Sequence, residues 1–330
     1  MKKRMTIPKR IIGTLIIPVI VFIIMWLLCL SQGKTSFGTW SMWRSIIPNI
    51  AISVTCAMGI GLQFKCGRFD FSGGSIMLVS SIIAGRVAVA TGNNLFVMMG
   101  LCLLLCILLS VIVGVFYIYS KVSIVIVTIG FAMLYEAVSC MIYKGEGITL
   151  VSNMTLRVFS TFPMALIPLV ACIIIYAIYS YLTVTGRRAN LLSLNQKAAV
   201  NIGIKEAKNV ILSFIFSGAI FGFASMIYVG NAIHKGAFSS MSTVGELFTN
   251  ILPVFIGLIV VEYCGDTIGI IVGSISLCLL SYGLSSAFTS ELGQTLSVIV
   301  TAAFILLVNA VPVQVKKIQQ KIQNRKEANA

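Results

Sequence analysis

The side chains best able to do chemistry in this sequence are few and widely spaced. It holds 9 acidic residues and 1 histidine among 330 residues. His234 has no Cys/His cluster around it and no C-x-x-C pair occurs, so no zinc or haem ligand set is expected. The nine cysteines lie mostly inside apolar runs, where a thiol packs as a small hydrophobe. Cys102 and Cys106 share a helix face and read as packing residues. No G-x-x-x-x-G-K-[ST] phosphate loop and no nucleophile–base arrangement is found. We therefore expect no catalytic residue, no metal and no cofactor bound by this chain. Two carboxylates stand out. Glu136 lies within or near the outer end of an apolar run. An ionised group at mid-membrane costs about 2.5–3.5 kcal/mol, so it must face protein or water. It reads either as a pore-lining group or as an interfacial Glu near Lys144. Asp70 sits in a short loop with Arg68 and two glycines. It reads as a turn residue that bonds nearby N–H groups or caps the next helix, or alternatively as part of a gate.

The elements that must position these groups follow from composition. Hydrophobic residues make up 58% and charged residues 10% of the chain, against about 25% charged in soluble domains. The apolar residues come in blocks of roughly twenty, the length of a membrane-crossing helix. Strong two-residue alternation is absent, which argues against an outer-membrane barrel. The expected fold is all-α: one polytopic helical bundle over 1–330. The spans fall at 11–30, 46–64, 73–90, 95–119, 122–143, 163–183, 209–230, 247–263, 267–286 and 293–311. The basic Met1–Arg10 and apolar Ile11–Leu30 read as a retained first span, since the run exceeds a signal core. The second span is the most polar, with Asn49, Ser53, Thr55 and Gln63, and Asn49 is a candidate pore-lining residue. The eighth, bounded by Glu246 and Glu262 and holding Pro253, is the weakest and is a candidate broken helix.

The net charge is +15. The basic residues sit between apolar blocks rather than in an aromatic-interleaved patch, so nucleic acid is not the expected partner. With the N-terminus inside, the outer side holds six basic residues: Lys34, Arg44, Arg86, Lys144, Arg157 and Lys235. The other eighteen of the 24 Lys and Arg lie inside. That asymmetry predicts both ends in the cytoplasm and an even number of spans. The tail 312–330 is basic and mildly amphipathic and is expected to be cytoplasmic, where anionic lipid would attract it.

The cytoplasmic loop 184–208 carries the most information. Asn195 can cap a helix, Gln196 to Ile202 then makes about two turns, and Gly203 supplies a left-handed stop. Ala198 and Ala199 give this short helix small residues suited to a partner's groove. From periodicity alone a solvated connector fits as well.

Here the chain resembles ABC importer permeases of the ribose-type, simple-sugar group, within the branched-chain amino acid/ribose permease superfamily. Gly186, Arg187, Asn195, Ala198, Ala199, Gly203 and Ile204 follow the order of that group's coupling loop. Gly67, Asp70, Ser72, Gly74 and Ser75 in GRFDFSGGSIML resemble its G-I-D-L-S-V-G-S segment. The stretch TIGFAMLYEAVSCMIYKGEGI from Thr128 resembles its T-L-G-x-M-x-x-x-R-G-L segment. Departures bear on the substrate more than on the architecture. Glu136 stands where the group often has Arg, Leu194 where it often has Gly, and the loop 262–266 has one glycine.

The resemblance implies a membrane permease that binds no ATP itself. Cytoplasmic ABC ATPase subunits, using ATP and Mg, would dock on Asn195, Gln196, Ala198, Ala199, Gly203 and Ile204. An extracellular or periplasmic solute-binding protein would deliver substrate. A second copy or a sibling permease would complete the path in a bacterial plasma or inner membrane. Gly67, Asp70, Ser72 and Gly74 would form a gate or structural loop. The expected cargo is a monosaccharide or related polyhydroxy solute. The alternative is a stand-alone secondary transporter or channel.

Overall fold

The computed structural model describes residues 7–150, 152–231, 234–235, 241–261 and 263–288, together with positions 295, 299–300, 302–304 and 306. The expected tenth span, 293–311, falls mostly outside these residues, and the tail 312–330 and Glu262 fall wholly outside them.

The described chain is helical. Its elements are α1 (Ile7–Ser31), α2 (Trp40–Lys65), α3 (Gly73–Ala90), α4 (Leu95–Ser120), α5 (Ile124–Met141), α6 (Leu166–Ala177), α7 (Val184–Leu194), α8 (Gln196–Asn201), α9 (Glu206–Asn231), α10 (Ser242–Val260) and α11 (Asp266–Ala287). A two-residue antiparallel ladder joins β1 (Ile148–Thr149) to β2 (His234–Lys235). Eight described helices are long and apolar enough to cross a membrane, and a bent pair makes a ninth. That pair is α6, which winds on as a π turn through Ile178–Leu182 and then bends 69° into α7.

Two expectations change. The eighth span begins at Ser242 rather than 247 and runs as one helix to Val260 with Pro253 inside it. It is not broken. The loop 184–208 holds two helices rather than one. Thr183 caps the first of them, its hydroxyl accepting from the Gly186 N–H at 3.0 Å. Asn195 then ends α7 and begins α8.

The chain forms two compact units, 43–251 and 1–42 with 252–330. In the larger unit α9 is the buried axis. It reaches α4 through small residues. A Cβ on Gly218 would lie 2.8 Å from the Ile107 Cα, and one on Gly222 would lie 2.9 Å from the Leu103 Cα. Such contacts let two backbones approach where lipid supplies no hydrophobic drive. Cys102 and Cys106 are buried on this seam, with the Ser225 hydroxyl against the Cys102 thiol at 3.6 Å. The outward face of α4, with Leu104, Leu108, Ile112 and Phe116, is exposed and suited to lipid. In the smaller unit α1 packs on α11, where Gly283 admits Met25. Gly257 of α10 faces Gly269 of α11 at backbone distance. The exposed Ile12, Leu15, Ile16, Val19, Ile23 and Leu27 give α1 a broad apolar face.

Candidate functional site

The larger unit holds a cavity of about 330 Å³ lined by α2, α3, α9 and the first turns of α10. One wall is polar: Tyr228 and Asn231 from α9, and Glu246, Thr249 and Asn250 from α10. Ile52, Ile60, Met77, Phe221 and Leu247 add apolar lining, the last two from the same helices as the polar residues. The polar wall is hydrogen bonded within itself. The Tyr228 hydroxyl donates to Glu246 Oε2 at 3.1 Å, and the Asn250 amide donates to the Glu246 carbonyl at 3.0 Å. The Asn231 amide donates to Asn49 Oδ1 at 3.1 Å.

The start of α10 fixes this wall. Glu136 of α5 is 2% exposed. Its carboxylate accepts the Met241 N–H at 2.6 Å, the Thr243 N–H at 2.7 Å, and the Thr243 hydroxyl. A carboxylate at a helix N-terminus meets unsatisfied N–H groups and the positive end of the macrodipole. Gly74 lets α10 come close, since a Cβ there would lie 2.7 Å from the Thr243 carbonyl oxygen. Pro253 has no N–H to return to the Thr249 carbonyl, which leaves an acceptor on a cavity residue.

A second constellation lies where the loop 66–72 meets α7 and α9. Gly67 has φ +73°, and a Cβ on it would lie 3.2 Å from the Ser193 Cα of α7. Arg68 is buried and donates to the Ser213 hydroxyl at 2.8 Å and to Asn209 Oδ1 at 3.4 Å. The Asn209 amide donates in turn to the Thr185 carbonyl at 2.9 Å. A chain of hydrogen bonds thus runs from this loop through α9 to the start of α7. Asp70 is buried, and its Oδ1 accepts the Ser72 N–H at 2.9 Å and the Ser72 hydroxyl at 2.6 Å. Its Oδ2 has no partner among the described residues. Burial pushes the carboxyl above its ordinary value, against the opposing pull of the Ser72 bonds.

On α8, Asn195 Oδ1 accepts the Ala198 N–H at 3.1 Å, and Gly203 has φ +89°. The cap and the stop sit where the sequence placed them. The alanines divide. Ala198 is exposed, while Ala199 and Ile204 are buried with Leu192.

Residues 42–309 match the model of the family described as the permease component of the branched-chain amino acid transport system. The chain belongs to this family. It is the membrane-spanning permease component of an ABC transporter. A solved structure of a metal-chelate type ABC transporter, in an inward-facing conformation, is similar with a TM-score of 0.53 and 19% identity. The match covers 91% of this chain and 98% of that one. No curated protein matches the chain. The family assignment displaces the stand-alone transporter as the alternative. ABC permeases work with separate ATPase subunits and usually with a substrate-binding protein.

The structure sorts the residues singled out from the permease sequence. Asn49 is exposed and bonded to a cavity residue. Glu136 does not present itself as a pore wall. Its two oxygens are taken up by backbone and hydroxyl donors, so it is a buried clamp, and Lys144 is not among its hydrogen-bond partners. Gly67, Asp70 and Ser72 lie in one loop, and Gly74 reaches both the cavity and α10. The Gln196 and His234 side chains lie outside the described residues. Sequence reasoning missed the cavity's polar wall and the Arg68–Asn209–Thr185 chain. One signal was present, because Glu246, Thr249 and Asn250 stand at i, i+3 and i+4 and share a helix face.

Proposed function

We propose that this permease carries a small polyhydroxy solute, a monosaccharide or a close relative, inward across a bacterial plasma or inner membrane. Ten spans with both ends in the cytoplasm are the matching topology. The observation that carries the cargo reading is the mixed polar and apolar lining of the cavity. Tyr228, Asn231, Glu246 and Asn250 offer hydrogen-bonding groups, and Ile52, Met77 and Phe221 offer an apolar surface. A sugar combines the same two characters, with hydroxyls at its edge and C–H groups on its face. Ligand pockets commonly combine an apolar lining with a few placed polar groups. The family description speaks of branched-chain amino acids and the structural neighbour of a metal chelate. Those cargoes are alternative outcomes of the test below.

In this reading a second copy or a sibling permease completes the path. An ATPase pair, using ATP and Mg, docks on the exposed side of α8 around Asn195 and Ala198. The loop Gly67–Gly74 passes the motion on, supported by the Arg68–Asn209–Thr185 chain. An external binding protein presents the solute. The test is co-purification with the ATPase encoded beside it, followed by uptake in proteoliposomes against sugars, branched-chain amino acids and metal chelates. ATP-dependent sugar uptake that needs a loaded binding protein is the expected result. Uptake by the chain alone, without any ATPase, would overturn the reading.

A further inference from the structure

We infer that the cavity is a charge filter within the permease: it admits neutral or cationic solutes rich in hydrogen-bond donors and turns anions away. The inference rests on reading the cavity as part of the solute path. Among the described residues that line it, Glu246 is the one charged side chain, and no Lys or Arg is among them. A carboxylate or phosphate group entering would meet a like charge with no cation among the described lining residues to offset it, and like charges close together repel.

The hydrogen-bonding groups point the same way. The wall spends donors internally. Tyr228 O–H goes to Glu246 Oε2, one amide N–H of Asn231 goes to Asn49, and one of Asn250 goes to the Glu246 carbonyl. The Thr249 hydroxyl also donates to that carbonyl, at 2.7 Å. Among the described residues, Glu246 Oε1, Asn231 Oδ1 and Asn250 Oδ1 accept no hydrogen bond, and Pro253 removes the i+4 amide that would donate to the Thr249 carbonyl; against these four acceptors stand two donors, the second amide N–H of Asn231 and of Asn250. The surplus is therefore of acceptors. Hydroxyl and ammonium groups satisfy acceptors, whereas a carboxylate or phosphate brings only more acceptors. A solute that brings donors gains bonds here that an anion cannot make, and the difference in affinity is what discriminates.

The test needs no knowledge of the cargo. The full permease with its ATPase, carrying Asn250→Cys, is treated with three methanethiosulfonates of similar size bearing a trimethylammonium, a hydroxyl or a sulfonate group. Mass spectrometry of the peptide reads the rate at position 250, normalised to each reagent's rate with a free thiol. Native Cys56, which also lines the cavity, is read in the unsubstituted protein by the same method. We expect the sulfonate to react about ten-fold more slowly than the hydroxyl reagent. Adding Glu246→Gln should bring the two within about two-fold, and Tyr228→Phe, which keeps the charge, should leave the gap in place. Sulfonate and hydroxyl reagents reacting alike would overturn the filter while leaving the cavity as the path. Discrimination that survives Glu246→Gln would also overturn it. If no reagent reaches either thiol, the cavity is closed to water, and both the filter and the path through it fall.

Discussion

Glu136 of α5 holds the first turn of α10 through Thr243, whose backbone N–H and hydroxyl both donate to its Oε1. The clamp lies three residues before Glu246, so a buried carboxylate sets the helix that carries the cavity's polar wall. Bonds to an ionised acceptor are worth about 1.5–3 kcal/mol each. In Glu136→Gln one oxygen becomes an NH2 that faces donors. The substitution should cost about 2–3 kcal/mol, read as a lower melting temperature in nanodiscs, with reduced uptake. Thr243→Val removes only the hydroxyl and should cost about 1 kcal/mol. Equal stability of Glu136→Gln and the unsubstituted protein would exclude the clamp.

Asn209 links the buried Arg68 to the Thr185 carbonyl at the start of α7. Asn209→Ala leaves a guanidinium short of an acceptor and frees a carbonyl, each a loss of about 1–3 kcal/mol. The expected signature is a split: the complex still assembles and hydrolyses ATP, but fewer solute molecules enter per ATP. Arg68→Lys should show the same split, because a single ammonium cannot reproduce the two-point reach to Ser213 and Asn209. Uptake and hydrolysis falling in proportion would argue against a coupling role.

Hydropathy made the spanning helices legible, because a run of about twenty apolar residues has few alternatives in lipid. Asn195 and Gly203 were equally legible, since a cap and a left-handed stop are local chemistry. The cavity was not. Its polar wall joins Tyr228 and Asn231 at the end of one helix to Glu246 at the start of another, and only packing brings them together. A hydropathy window treats any charge as an interruption, so Glu246 reads as the edge of a span. The same habit hid the true start of α10 at Ser242. Glu136 is legible in the sequence as a group that needs partners. Those partners are mainly backbone N–H groups some hundred residues further along, and a sequence pattern cannot display them. The helix α7 escaped because its N-cap, Thr183, closes the preceding span, so span and loop share one residue.

The short helix α8 can be weakened from either end without touching a spanning segment. Gly203 has φ +89° with open space where a Cβ would sit, so Gly203→Ala carries a conformational cost alone, about 1–2 kcal/mol. Asn195→Ala removes the cap to Ala198, at about 1 kcal/mol. Both should leave expression and global stability near normal while lowering ATP-driven uptake. Hydrogen exchange over 195–203 should rise in both variants. Fast exchange there with full transport would remove α8 from the coupling path.

Asp70 offers a pH test with a definite sign. Burial raises its carboxyl pKa in the folded protein, from an ordinary value of 3.8. A raised folded pKa means that the group's contribution is fully present below the ordinary value and is lost as pH rises through the folded one. Asp70→Asn keeps an oxygen to accept from Ser72 but removes the charge that burial penalises. The variant should therefore gain on the unsubstituted protein as pH rises from about 4 toward neutrality, and the two should converge at lower pH. Other carboxylates titrate in both proteins, so the informative quantity is the difference in melting temperature between them. A difference that stays flat with pH, or that favours the unsubstituted protein at neutral pH, would mean that the unpartnered Oδ2 has found a partner when the transporter is assembled. In that case Asp70 would be part of the gate after all.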